Sequence, residues 1–386
     1  MAGQGFRFPK MAFPDDVEAL RQDIRGFLRA ERASGGFTPI ADCWGSGLSP
    51  EFSRKLGQRG YLAVTWPKAY GGHEKTMLHR YVITEELVSA GAPVGAHWVA
   101  DRQSGPLLLR YGTEEQKTSI LPRIAAGECY FAIGMSEPGS GSDLASVRTR
   151  AEKVDGGWKI NGAKIWSSGA HICHYMIALV RTTPVQDGQK HRGLSQFLVD
   201  LSTPGISVRG IKNIANESHF NETVFQDVFV PDDAMLGNEG DGWKQVTGEL
   251  AIERSGPERF LSTTIILEEA VRAMQATDDD RIRLAFGQLV ARLRTLRRMS
   301  LGVSALLQEG QSPETEAALV KEVGTRFERE IIEGVRGLSA GAPTTQGMSA
   351  YHSTLRDGIL HIPSSTIRGG TNEVLKGIVA RQLGLR

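Results

Sequence analysis

The sequence has little of what would place it in a specialised class. Cysteine is scarce: Cys43, Cys129 and Cys173 stand far apart and form no paired motif. A disulfide framework is therefore not expected, and a reducing compartment fits best. His171 and His174 flank Cys173, yet without a second ligand pair they read as packing, and no metal site is expected. No apolar run approaches the roughly 18 residues of a membrane span. The N-terminus sets Lys10 near Asp15 and Asp16 and lacks the apolar stretch of a signal peptide, so the expected location is cytoplasmic. Neither sign of charge prevails, with 45 Lys and Arg against 44 Asp and Glu, and a nucleic-acid footprint is not expected. The basic residues of Arg292–Arg298 alternate with leucines, as on a solvated helix face. No glycine-rich fingerprint opens a helix after a strand, which argues against a Rossmann dinucleotide site.

What is present is an ordinary globular composition, 40% hydrophobic and 23% charged over 386 residues, long enough for two or three domains. The first third has helical spacing. Val17, Leu20, Ile24, Phe27 and Leu28 recur at steps of three and four. Ser49–Pro50 opens a second helix that Gly60 closes, and Thr113 with Gln116 forms a capping box before Ile120 and Leu121. Beyond Gly127 the runs become short and β-rich. Trp158–Ile160, Asn161–Gly162 and Ala163–Trp166 read as a hairpin on an Asn-Gly turn. Met176–Val180, Gln196–Val199 and Val224–Val230 read as further strands of an antiparallel sheet or small barrel. After Gly242 long helical patterns return, over Leu284–Leu307, from Ser312–Pro313 to about Leu338, and after Thr371. The expected fold class is α+β: an N-terminal helical domain (1–128), a middle antiparallel β domain (129–236) and a C-terminal four-helix bundle (237–386).

The run from Met135 to Asp143, Met-Ser-Glu-Pro-Gly-Ser-Gly-Ser-Asp, would by composition be a tight polar loop. Together with Lys164–Ile165–Trp166–Ser167–Ser168 it resembles the acyl-CoA dehydrogenase family. The resemblance extends along the chain through Tyr70–Gly71–Gly72, Tyr111–Gly112–Thr113, Phe229–Val230–Pro231, Gly242–Trp243–Lys244, Arg283-x-x-Phe286–Gly287 and Arg368–Gly369–Gly370–Thr371–Asn372–Glu373. It implies an FAD enzyme that oxidises an acyl-CoA thioester to a trans-2-enoyl-CoA and passes electrons to an electron-transfer flavoprotein. It further implies that Met135 and Ser136 bond the pyrimidine edge of the flavin, that Trp166 lies against the ring and that Ser168 lies at N5. Ser142 would lie near the CoA chain. Arg283, with Phe286 in its motif, would reach the pyrophosphate of a neighbouring subunit's FAD, as in a homotetramer or dimer, and Thr371 and Glu373 would also contact FAD.

Two positions depart from the family pattern. Many members carry the catalytic glutamate where this chain has Gly369, and an aromatic residue where it has Arg368. Other members place the base on an earlier helix just before an arginine. Here that pair is Glu253–Arg254, so Glu253 is the expected base, Arg254 the anchor on the CoA side and Glu258 the fallback. The family's glycine-rich turn is matched poorly by Gly337–Pro343. A flavin monooxygenase or oxidase on the same fold, and a non-catalytic subunit of a mixed tetramer, stand as alternatives. Trp98 reads equally as a pocket wall or as core.

Overall fold

The computed structural model describes residues 6–186, 188–274, 278–338 and 348–385, with the side chains of residues 249–253 and 348 outside that description. The chain has N-terminal helices, a middle β-sheet and C-terminal helices. By packing it divides into two compact units, one of Leu48–Glu74 and Val94–Glu249, the other of Met1–Gly47, Lys75–Pro93 and Leu250–Arg386.

The N-terminal helices are α1 (Asp15–Ala33), α2 (Pro50–Gln58), α3 (Met77–Ser89), α4 (Gly95–Val99), α5 (Gly105–Tyr111) and α6 (Glu114–Ala125). Their starts follow the capping signals. The Ser49 hydroxyl accepts the Phe52 N–H, and Thr113 and Gln116 complete the reciprocal capping box. The α1 stripe buries Val17, Ile24, Phe27 and Leu28.

Among the described residues eight strands follow: β1 (Phe131–Gly134), β2 (Arg150–Val154), β3 (Gly157–Ser168), β4 (Tyr175–Arg181), β5 (Leu194–Asp200), β6 (Ile206–Ile211), β7 (Phe220–Pro231) and β8 (Met235–Leu236). They order as β6-β7-β3-β2-β4-β5-β8, with β1 beside β4. The pairing is antiparallel except where β1 and β2 meet β4. Trp158, Ile160, Met176, Phe197, Val199, Phe225 and Val228 form the core of this sheet.

The Asn161–Gly162 hairpin is a correction. β3 runs through both residues, and the turn is the preceding Asp155–Gly156, where Gly156 takes φ 71° and β2 pairs with β3. Asn-Gly serves a β-bulge instead. The register against β7 shifts between Ile160 and Gly162, and the Asn161 side chain exchanges hydrogen bonds with Asp227. Gly162 stands at φ 145°, where a Cβ would lie 2.7 Å from Thr149 Cα, so only glycine fits.

The C-terminal helices are α7 (Gly242–Ser255), α8 (Thr264–Met274), α9 (Asp280–Gln308), α10 (Glu314–Leu338), α11 (Met348–His361) and α12 (Asn372–Gln382). The arginines of α9 lie largely on a solvated face, but Arg297 reaches inward to Glu85 of α3. Glu85 also holds the buried Arg21 of α1 at 2.6 Å. Among the described residues no helix is long and apolar enough to cross a membrane.

Candidate functional site

In the unit that holds the sheet, the loop after β1 is closed by its own backbone. Glu137 N–H donates to the Ser140 carbonyl at 2.8 Å and Ser140 N–H returns to Glu137 at 3.0 Å, so Pro138–Gly139 forms a two-residue turn. The Ser136 carbonyl accepts the Ile165 N–H at 2.9 Å, docking the loop on β3. No group among the described residues accepts the Ser136 N–H. The hydroxyls of Ser136 and Ser168 are half-buried, and Ser142 is exposed on the outer limb of the loop.

β3 itself bulges between Lys164 and Ser167. It turns Trp166 out of the sheet at φ 63°, a left-handed conformation that a large side chain rarely adopts. The indole is 53% exposed and meets Phe220 edge-on at 5.9 Å. A bulky apolar ring held in a strained backbone and half offered to solvent gains little from packing, and such strain is characteristic of ligand sites. The strand behind it is fixed by Asn221, fully buried, whose amide donates to the Ser167 carbonyl at 3.0 Å and meets His171 at 3.1 Å.

Two residues without an assigned role from the sequence hold this arrangement together. Lys164 is fully buried and donates to Glu137 Oε1 at 2.8 Å and to the Met135 carbonyl at 3.2 Å. The Glu137 carboxylate also accepts the N–H groups of Arg148 and Thr149, at 2.6 and 2.9 Å. The sequence signal for Lys164 was available. It shares the parity of Trp158 and Ile160 on β3, which puts a charge on the inward face. Lys190 is a third unassigned residue; it bridges Asp143 and Ser146, at 3.1 and 3.0 Å, and so ties the outer limb of the loop to the 188–192 turn.

In the helical unit, the segment before α12 takes positive φ at Gly369 (67°) and Gly370 (88°). Its carbonyls are held from inside. The fully buried Lys321 of α10 donates to Gly370 O at 2.7 Å and to Asn372 Oδ1 at 2.9 Å, and Arg254 Nε reaches Gly369 O at 3.4 Å. The Thr371 hydroxyl caps α12 by accepting the Val374 N–H, and Glu373 is exposed on its first turn. Arg283 is exposed on α9 with Asp278 and Asp280 as ion-pair partners, and Phe286 is half-buried. Glu258 is buried on the turn after α7. Glu253 lies on α7 with its side chain outside the described residues, and most of the Gly337–Pro343 turn also falls outside them. Trp98 is buried, with the Arg102 guanidinium over its ring.

Three family models match the chain: the N-terminal domain of acyl-CoA dehydrogenase over residues 14–128, its middle domain over 132–228 and its C-terminal domain over 240–384. Acyl-CoA dehydrogenase IpdE1 of Mycobacterium tuberculosis is 33% identical over 386 residues, covering 96% of this chain and 98% of that protein. Acyl-CoA dehydrogenase FadE34 of the same organism is 32% identical over 345 residues, or 86% of this chain, which spans 46% of FadE34. Among solved structures, the Tcur3481-Tcur3483 steroid ACAD superposes with a TM-score of 0.82 at 28% identity, over 97% of this chain and 98% of that one. The ChsE4-ChsE5 complex from Mycobacterium tuberculosis does so with a TM-score of 0.80 at 29% identity, over 98% and 100%.

Proposed function

The chain belongs to the acyl-CoA dehydrogenase family, and from that premise we propose that it is an FAD-dependent enzyme that desaturates the α,β bond of an acyl-CoA carrying a bulky, polycyclic acyl group. The observation that carries the flavin assignment is Trp166, an exposed indole on a strained bulge beside a loop whose Ser136 N–H has no acceptor among the described residues. An apolar ring surface next to a main-chain donor suits a planar heterocycle with polar edges. Met135, Ser136, Trp166, Ser168, Arg283, Phe286, Thr371 and Glu373 are the residues that would hold FAD. When bound, FAD supplies the acceptor for the hydride leaving the substrate's β-carbon.

The chain's own part is to bind, orient and deprotonate. Glu253 is the base for the α-proton, and Gly369, where many relatives carry glutamate, has no side chain to compete for that role. Trp166 excludes water from the reacting face. Ser142 and Arg254 act on the CoA side of the substrate. The consecutive Gly369 and Gly370 remove side-chain bulk from this segment, which suits a large acyl group, as does the likeness to a steroid ACAD. Electrons then pass to an electron-transfer flavoprotein. We take the assembly to be a homo-oligomer in which Arg283 serves a neighbouring subunit's FAD; the likeness to the ChsE4-ChsE5 complex makes a mixed oligomer the second reading.

The test is anaerobic titration of the purified protein with straight-chain, branched and steroid-derived acyl-CoAs, followed by the visible flavin band. Bleaching by the steroid-derived thioester, lost in Glu253→Gln with flavin retained, supports the whole assignment. Bleaching that survives Glu253→Gln removes Glu253 and turns attention to Glu258. A colourless protein that gains flavin only with a second, different chain establishes the mixed oligomer.

A further inference from the structure

A buried ammonium is costly, and it is tolerated where a carboxylate and further acceptors satisfy it. Lys164 has that carboxylate in Glu137, at 2.8 Å, and the pair is enclosed, with Lys164 fully buried and Glu137 nearly so. Burial pushes the Lys164 ammonium down, to about 8, with Glu137 acting against the shift. Burial would raise the Glu137 carboxyl, but the lysine's charge and hydrogen bond hold it below its ordinary value. Space for the lysine stem is cleared by Gly134, where a Cβ would stand 3.2 Å from Lys164 Cγ and collide with Met176 Sδ.

Nζ makes a second contact, to the Met135 carbonyl at 3.2 Å. That carbonyl and the Ser136 N–H belong to one peptide unit. A cation at the oxygen draws electron density through the amide and makes its N–H a stronger donor. The Ser136 N–H has no acceptor among the described residues. The opposite end of the same residue is fixed, because the Ser136 carbonyl accepts from Ile165.

We propose that Lys164 is a positioning residue that tunes the flavin: it polarises the Met135–Ser136 peptide, so that the Ser136 N–H stabilises the negative charge that reduction places on the pyrimidine edge. The inference rests on the flavin placement proposed above. Lys164 touches neither substrate nor flavin and acts through one peptide bond, with Glu137 holding it in register. Removing the charge weakens the donor and makes the bound flavin harder to reduce.

The experiment measures the flavin midpoint potential by dye-coupled reductive titration, together with the Kd of the apoprotein for FAD, in three proteins. These are the wild type, Lys164→Met, and the double variant Lys164→Met with Glu137→Gln, which removes both buried charges at nearly constant volume and so strands no charge if the single variant fails to fold. The expected result is a roughly tenfold shift toward oxidised flavin in the double variant, equivalent to about 30 mV for a two-electron couple. FAD affinity changes less than the potential. A double variant that binds FAD with the wild-type potential overturns the proposal and leaves the pair a scaffold. A wild type that binds no FAD instead overturns the flavin reading itself, and the inference with it.

Discussion

Arg368 grips Asp42 with both arms of its guanidinium, Nη1 lying 2.8 Å from Oδ2 and Nη2 2.6 Å from Oδ1. The Trp44 ring lies against the same guanidinium, 4.0 Å from its centroid. The family resemblance places an aromatic residue at position 368. In this chain the side chain there is instead turned inward and packed within the helical unit, so the following Gly369–Gly370 segment is anchored by charge. A buried pair loses most when one partner is removed, because the other is left stranded. Asp42→Ala should therefore cost about 3–5 kcal/mol in urea unfolding, whereas the double change Asp42→Leu with Arg368→Met should recover most of that loss. A single variant within about 1 kcal/mol of wild type would mean that the pair is effectively solvated.

Glu328 gives the helical unit a pH dependence. It is fully buried, its Oε1 accepts the Ser262 N–H at 3.1 Å, and it lines a small cavity with Asp42, Ser365, His361 and Arg368. Burial raises its carboxyl to about 7; Arg368 opposes the rise and Asp42 adds to it. A carboxyl raised on folding binds its proton more tightly in the folded chain, so stability falls as pH climbs from the ordinary value near 4.5 to about 7 and is level above that. The penalty is on the order of 3 kcal/mol. Glu328→Gln should remove the slope, unfolding later than wild type at pH about 8 and alike at pH about 4.5. Parallel pH profiles for the two proteins would refute this.

Trp166 opposes stability to function. Its left-handed backbone costs about 1–3 kcal/mol, and its exposed ring returns little of that in packing. Trp166→Gly should leave the flavin-free protein equally stable or more stable by about 1 kcal/mol, while raising the Kd for FAD at least tenfold. Trp166→Phe should keep most of the binding. A glycine variant that loses stability without losing flavin affinity would assign the indole to packing.

The fold was legible because its signals are local. Ser49, Thr113 and the α1 stripe each describe their own few residues, and each acts as its spacing says. The Asn161–Gly162 turn failed for the opposite reason. Asn-Gly licenses positive φ, but whether that serves a turn or a bulge depends on Thr149, just before β2, and Asp227 of β7. The candidate site divides in the same way. Trp166 and the serines stand out by motif, whereas the groups that hold them, Glu137, Lys164 and Asn221, are polar residues whose burial follows from tertiary pairing. The inward parity of Lys164 was the one trace of this in the sequence.

Lys321 is the helical unit's counterpart to Lys164, a fully buried lysine spent on main-chain carbonyls. It reaches Gly370 O at 2.7 Å, Asn372 Oδ1 at 2.9 Å and Thr366 O at 3.4 Å. The loop it holds has glycines at two consecutive positive φ angles and so has little conformational preference of its own. Lys321→Met keeps the stem and removes the donor, leaving buried carbonyls unpaired at about 1–3 kcal/mol each. The loss should be local. Hydrogen exchange across residues 366–372 should accelerate at least tenfold while α10 itself stays protected, and KM for the acyl-CoA should rise more than kcat falls. Unchanged exchange in that segment would mean that Arg254 and the Thr371 cap hold the loop without the lysine.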